Sequence, residues 1–196
     1  MSPPSLDSDK GVTEMRKVVA YELLSLDGVA EAPNEFFTDW DDVMDNNLAR
    51  VISTQDTVLL GRRTYDEWSE YWPPSDIEPF ASFINQVEKF VASSDKPKKL
   101  WTNSTMIEGD FQKFVTELKE TPGGDIGVHG SITLCQSLIE AGVVDELRLV
   151  IAPSFQGSGR KLLNGGLPTR LKLTNQIASP TGYVLLDYQI ITRSIN

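Results

Sequence analysis

Residues 57–68, TVLLGRRTYDEW, and residues 126–138, IGVHGSITLCQSL, share one pattern: an apolar run, a glycine, a hydroxyl residue, and then helical spacing. The aliphatic and β-branched residues favour extended chain before each glycine. A glycine at the end of a strand lets a ligand approach the backbone closely. The first N–H groups of the following helix have no partner inside it and attract an anion. Two such junctions on neighbouring parallel strands could hold one extended dinucleotide across the carboxyl edge of the sheet. The first reads Gly61-Arg62-Arg63-Thr64 and the second Gly130-Ser131-Ile132-Thr133. Arg62 and Arg63 supply local positive charge and favour a 2′-phosphate, which selects NADPH over NADH. Each pattern has a plainer reading, a simple turn in one case and a solvated pair of arginines in the other. The G-x-G-x-x-G fingerprint of the ordinary dinucleotide fold is absent.

The rest of the chain supplies the sheet around these junctions. RKVVAYELLS (16–25) reads as a first strand stopped by Asp27-Gly28, and residues 29–37 as a loop. From Asp39 onward, Trp40, Val43, Met44, Leu48, Val51 and Ile52 fall at helical spacing. A helix is expected over 62–72, where Thr64 and Glu67 have the T-x-x-E spacing of a capping box. A weak helix at 81–88, a strand at 89–94, a polar turn at 95–99 and a short strand at 100–103 follow. Phe111, Phe114, Val115 and Leu118 mark an amphipathic helix. A strand over 125–130, a helix over 131–142 and a strong strand over 144–153 come next. Gly157-Ser158-Gly159 follows a proline and reads as a flexible turn, and 171–193 as a closing hairpin around Pro180-Thr181-Gly182. The expected fold is therefore α/β, a mostly parallel sheet with helices on both faces and an antiparallel edge. Residues 1–14 read as a polar tail, and 15–196 as one domain.

Composition excludes several chemistries. Eighteen Lys and Arg against 28 Asp and Glu leave a formal charge of −10, a field that repels nucleic acid and anionic membrane. A phosphate ligand must then be held by a local exception. One histidine, His129, and one cysteine, Cys135, cannot build a Cys/His zinc site, so no metal is expected. Cys135 shares a helical stripe with Leu134, Leu138 and Ile139 and reads as core. No signal peptide, spanning segment or disulfide pair is visible, and the expected compartment is the cytoplasm. Hydride transfer suits this inventory, because the cofactor carries the chemistry and the protein positions it.

VLLGRRTYDEW resembles the strand-Gly-Arg-x-Thr-aromatic segment of dihydrofolate reductases. SLDG at 25–28 and the stretch VHGSITLCQSLIEAGVVDELRLVIAPSFQGSGRKLL resemble the reductase domain of the bifunctional riboflavin-biosynthesis deaminase-reductase. The likeness runs from about Arg16 to Arg193. It implies a dihydrofolate-reductase-like three-layer fold and NADPH as cofactor. It also implies a small heterocyclic substrate, either a 5-amino-6-(5-phosphoribosylamino)uracil type of pyrimidine or a pterin. Gly61, Arg62, Arg63 and Thr64 would take cofactor phosphates, and Ser93 and Ser94 would lie by the adenosine ribose. Gly130, Ser131 and Ile132 would sit under the pyrophosphate and nicotinamide. Gly28 would border the nicotinamide, with Asp27 as the catalytic or orienting carboxylate. Val29-Ala30-Glu31 departs from the family's usual Lys-Ile-Ala stretch, and no zinc deaminase domain precedes the match. The resemblance also implies a homodimer. An alternative with the same phosphate residues is an NADP-binding regulatory or scaffold protein without turnover.

Overall fold

A computed structural model describes residues 15–165 and 168–191. The expected tail 1–14 and the end of the hairpin beyond 191 lie outside the described residues. Eight strands form one sheet: β1 (Val18–Ser25), β2 (Gln55–Gly61), β3 (Glu88–Ala92), β4 (Ser104–Ile107), β5 (Asp125–His129), β6 (Glu146–Ala152), β7 (Arg170–Ala178) and β8 (Val184–Ile191). Their spatial order is β4-β3-β2-β5-β1-β6-β8-β7. The first six are parallel, and β8 and β7 run antiparallel to their neighbours at one edge. This is the expected dihydrofolate-reductase-like architecture.

Two apolar cores flank the sheet. The helices α1 (Asp42–Ile52), α2 (Arg62–Tyr71) and α3 (Phe80–Gln86) cover one face, where Met44, Val51, Tyr65 and Ile84 are buried against Val58, Leu60 and Val91. The helices α4 (Phe111–Lys119) and α5 (Ile132–Glu140) cover the other, with Val115, Cys135 and Leu138 against Ala20, Leu59 and Val128. This arrangement fixes the place of any ligand. The chain leaves β1 and β2 for one face and leaves β5, which lies between them, for the other. A crevice therefore opens on each side of the carboxyl end of β5, the position that open α/β sheets use for binding.

Three local expectations change. The short strand lies at 104–107, not at 100–103. Trp101 instead plugs the first core, its backbone N–H donating to Tyr65 Oη at 2.9 Å and its indole Nε1 to Asn85 Oδ1 at 2.9 Å. Asn103 then turns the chain at φ 56° into β4. The early helix begins after Asp41, whose carboxylate accepts from the N–H groups of Val43 and Met44, so Trp40 stays outside it. The Thr64–Glu67 capping box does not form. The helix starts at Arg62, where it was expected, with Gly61 in the cap position, and Glu67 pairs with Arg63.

Among the described residues no helix is long and apolar enough to cross a membrane. Of the titratable groups buried within the sheet, His129 and Glu22 bear on stability below pH 8. His129 Nε2 is 2.8 Å from Gln55 Oε1, in space that a β-carbon at Gly127 would fill. Burial lowers the imidazole pKa to about 3, so it is neutral. Glu22 faces the opposite core beside the Cys135 thiol, and desolvation pushes its carboxyl up to about 8.

These shifts act on stability in opposite directions. The folded protein binds fewer protons at His129 than the unfolded chain between pH 3 and 6.5, so stability falls on acidification through that window. It holds an extra proton on Glu22 between 4.5 and 8, so stability falls as pH rises through that one. The slopes, each at most about 1.4 kcal/mol per pH unit, oppose each other where the windows overlap. Calorimetric melting is expected to show a plateau from pH 4.5 to 6.5 and a decline toward pH 8. Glu22→Gln should abolish that decline. A parent protein whose melting temperature climbs steadily from pH 5 to 8 would contradict the assignment.

Candidate active site

The two glycine junctions meet. Gly61, at the end of β2, donates its N–H to Ser131 Oγ at 2.9 Å, and Ser131 is 4% exposed. The hydroxyl thus ties the end of β2 to the turn after β5. Removing it would leave a backbone N–H without a partner at a largely enclosed position, a loss of about 1–3 kcal/mol. Gly130 holds φ 62°, a left-handed conformation that side chains resist, and a β-carbon there would stand 3.1 Å from the Trp68 ring. The absent side chain of Gly130 thus makes room for the Trp68 ring, while its backbone stays exposed at the β5 turn. Ile132 is buried in the second core, so only its backbone faces this edge.

Arg62 and Ser93 are brought together at the far side of β2. The Arg62 Nη1 donates to Ser93 Oγ at 3.1 Å and to the Asp95 carbonyl at 2.9 Å. Its Nε is 3.0 Å from each oxygen of Asp66. Arg62, Ser93, Ser94, Asp95, Gly109 and Phe111 line an open cleft of about 410 Å³ between the starts of α2 and α4. Arg63 lies elsewhere. Its side chain is 71% exposed and pairs with Glu67 on the helix surface. Thr64 sits in the first turn of α2 and is half-buried.

Asp27 and Gly28 form the turn after β1, on the opposite side of β5 from Arg62. The Asp27 carboxylate accepts from Ser25 Oγ at 2.6 Å and from the N–H groups of Gln156 and Gly157 at 3.1 and 3.0 Å. The Ser25 hydroxyl first, then these amides, hold its pKa down to about 2. Asp27 is thus ionised and joins two loops.

Further contacts lace the same loops. Leu162 N–H donates to the Gly28 carbonyl, Ala30 N–H to the Arg160 carbonyl, and the Arg160 guanidinium pairs with Glu31 at 3.2 Å. Gln136 of α5 donates to the carbonyls of Lys161 and Leu162. The Gly157-Ser158-Gly159 segment is therefore anchored between the β1 turn and α5.

Asp66, Glu31 and Arg160 were not singled out from the sequence. The Arg62–Asp66 pair has i,i+4 helical spacing and was legible in principle. Glu31 and Arg160 are 129 residues apart, and only the fold joins them. Among the described residues no cluster of three or more His, Cys, Asp or Glu could hold a metal ion.

The family model of the RibD C-terminal domain matches residues 16–185. The uncharacterized protein YyaP of Bacillus subtilis (strain 168) is 28% identical over 182 residues, covering 89% of this chain and 95% of that protein. A pyrimidine reductase-like protein from Corynebacterium diphtheriae superposes with a TM-score of 0.67 at 15% identity, over 91% of this chain and 93% of the other. The diaminohydroxyphosphoribosylaminopyrimidine deaminase/5-amino-6-(5-phosphoribosylamino)uracil reductase of Thermotoga maritima gives 0.63 at 13% identity, over 90% and 57%. These solved structures share the fold.

Replacing Asp27 with Asn keeps one acceptor oxygen and sets an amide N–H₂ against a backbone N–H. Hydrogen exchange at the Gln156 and Gly157 amides should accelerate, while the amides of β1 and β6 keep their protection. Unchanged exchange at 156 and 157 would show that the carboxylate does not hold this loop.

Proposed function

The chain belongs to the RibD C-terminal domain family, and on that premise we propose that it is an NADPH-dependent reductase passing a hydride to a small heterocyclic substrate. The named activity of the Thermotoga relative makes a pyrimidine of the 5-amino-6-(5-phosphoribosylamino)uracil type the leading candidate, with pterins second. The observation that carries the cofactor reading is the Arg62 guanidinium in the wall of the cleft beside Ser93 and Ser94. It is a local cation in a protein of charge −10. Bound NADPH would supply the hydride.

The residues present fit such a group. The Gly130 backbone is exposed at the β5 turn, and the start of α5 presents its backbone N–H groups there. Arg62, Ser93 and Ser94 would hold the phosphorylated ribose. Asp27 would orient the nicotinamide or the substrate as an acceptor, because an ionised carboxylate has no proton to give. The tie between residues 26–31 and 154–162 would keep that end of the site in place.

We also propose a homodimer. The edge strand β7 and its neighbour β8 present Leu173 and Ile191, 45% and 41% exposed, and an open edge is a surface that gains from cover. Light scattering at micromolar concentration should give twice the mass of the chain; a monomer removes the claim.

For the cofactor, calorimetry should show NADPH binding more tightly than NADH. Arg62→Ala should remove most of that preference, about 1.5–3 kcal/mol for a hydrogen bond to a charged group. Arg63→Ala should leave it within about twofold, since an exposed helix pair contributes little. Equal affinity for the two nucleotides in the parent protein overturns the cofactor assignment. In turnover of the pyrimidine, Asp27→Asn should lower kcat with NADPH affinity unchanged, and full activity would reduce Asp27 to its loop contacts.

A further inference from the structure

An arginine guanidinium carries five N–H donors on a rigid planar fork. In Arg62, Nε is held by both oxygens of Asp66 at 3.0 Å, and Nη1 by Ser93 Oγ and the Asp95 carbonyl. Among the described residues no hydrogen bond uses Nη2. Two donors therefore remain on one corner of a fork whose other two corners are fixed, in the wall of the 410 Å³ cleft.

The neighbouring pair is a control within the same helix. Arg63 and Glu67 have the same i,i+4 spacing, yet they share one contact of 3.1 Å and are 71% and 62% exposed. The Arg62 and Asp66 side chains are 25% and 19% exposed and make a two-oxygen contact. Without Asp66, only a hydroxyl and a carbonyl of the 93–95 turn would hold the guanidinium at the end of its flexible stem.

We propose that Asp66 is a positioning residue that sets Arg62 to distinguish a nucleotide bearing a 2′-phosphate from one with a free 2′-hydroxyl. This rests on the reading that Arg62 meets that phosphate. Asp66 has two opposed effects there. Its negative charge weakens attraction of the phosphate, while its grip fixes the direction of the Nη2 donors. Removing it raises affinity if the field dominates and lowers it if position dominates. The single Nε–H is shared between both oxygens of a partly buried carboxylate at 3.0 Å, a three-centre contact that holds the guanidinium plane and favours position.

The test is calorimetric titration of the full chain with NADPH and with NADH, for the parent, Asp66→Ala, Asp66→Asn and Arg62→Ala. Asp66→Ala should weaken NADPH about tenfold, the effect of freeing one long side chain that binding must then order. NADH should change less than twofold. Asp66→Asn, with one acceptor oxygen kept, should fall between, and it carries the test if the alanine variant does not fold. A merely structural role would move both nucleotides together, and that result overturns the proposal. NADPH affinity equal to or above the parent in Asp66→Ala, with the preference still lost in Arg62→Ala, overturns it and leaves the cofactor reading standing. A preference that survives Arg62→Ala removes the reading and the proposal together.

Discussion

The N–H of Gly61 and the hydroxyl of Ser131 meet at 2.9 Å, and the arrangement of the whole carboxyl edge depends on that contact. It joins the ends of two parallel strands whose following helices leave for opposite faces. Neither α2 nor α5 has a side-chain cap at its start, since Gly61 has no side chain and the Ser131 hydroxyl faces β2. The first N–H groups of both helices are thus left open toward the edge. A side chain that capped either helix in the ordinary way would occupy the space in front of those N–H groups. The site gives up local helix stability for an exposed pair of helix starts.

Electrostatics then divides the edge into two ends. At one, Arg62 stands in the cleft with its charge partly balanced by Asp66. At the other, Asp27 is balanced by a hydroxyl and two backbone amides. A ligand with a phosphate at one end and a neutral ring at the other has one orientation that suits both. The net charge of −10 works in the same direction, because anions without a specific partner are repelled from most of the surface.

The fold was legible because its signals are local. Strand-glycine-helix junctions, the amphipathic stripe of α4 and the late strands without an intervening helix are each contained in a few residues. The misreadings also have local causes. LWTN has strand composition, but Trp101 is bound to Tyr65 and Asn85, and no propensity records that. Thr64 and Glu67 have capping-box spacing, but the strand ends at Gly61 and the helix begins at Arg62. Of the site, the glycines and Arg62 were visible as motifs. The separate position of Arg63 was not, because two adjacent helical residues point about 100° apart and only the sheet decides which faces the cleft. The ties of Asp27 to Gln156 and of Glu31 to Arg160 span 129 residues and belong to the tertiary structure alone.

Hydride transfer to a ring adds two electrons and requires a proton in company. Asp27 lies nearest the β1 turn but is held ionised, with a pKa of about 2. His129 directly precedes the β5 turn, yet it is neutral and 2% exposed, its Nε2 engaged with Gln55. Glu22 keeps a proton near neutral pH, but it is buried on the α5 side of β1, three residues short of the strand end. Each of these groups is unsuited to donate at the edge, for a different reason. Water entering the open side of the site is then the simplest proton source for such a reaction. In the proposed reaction the chain would place its partners, with fixed donors at the phosphate end and a fixed acceptor at the ring end.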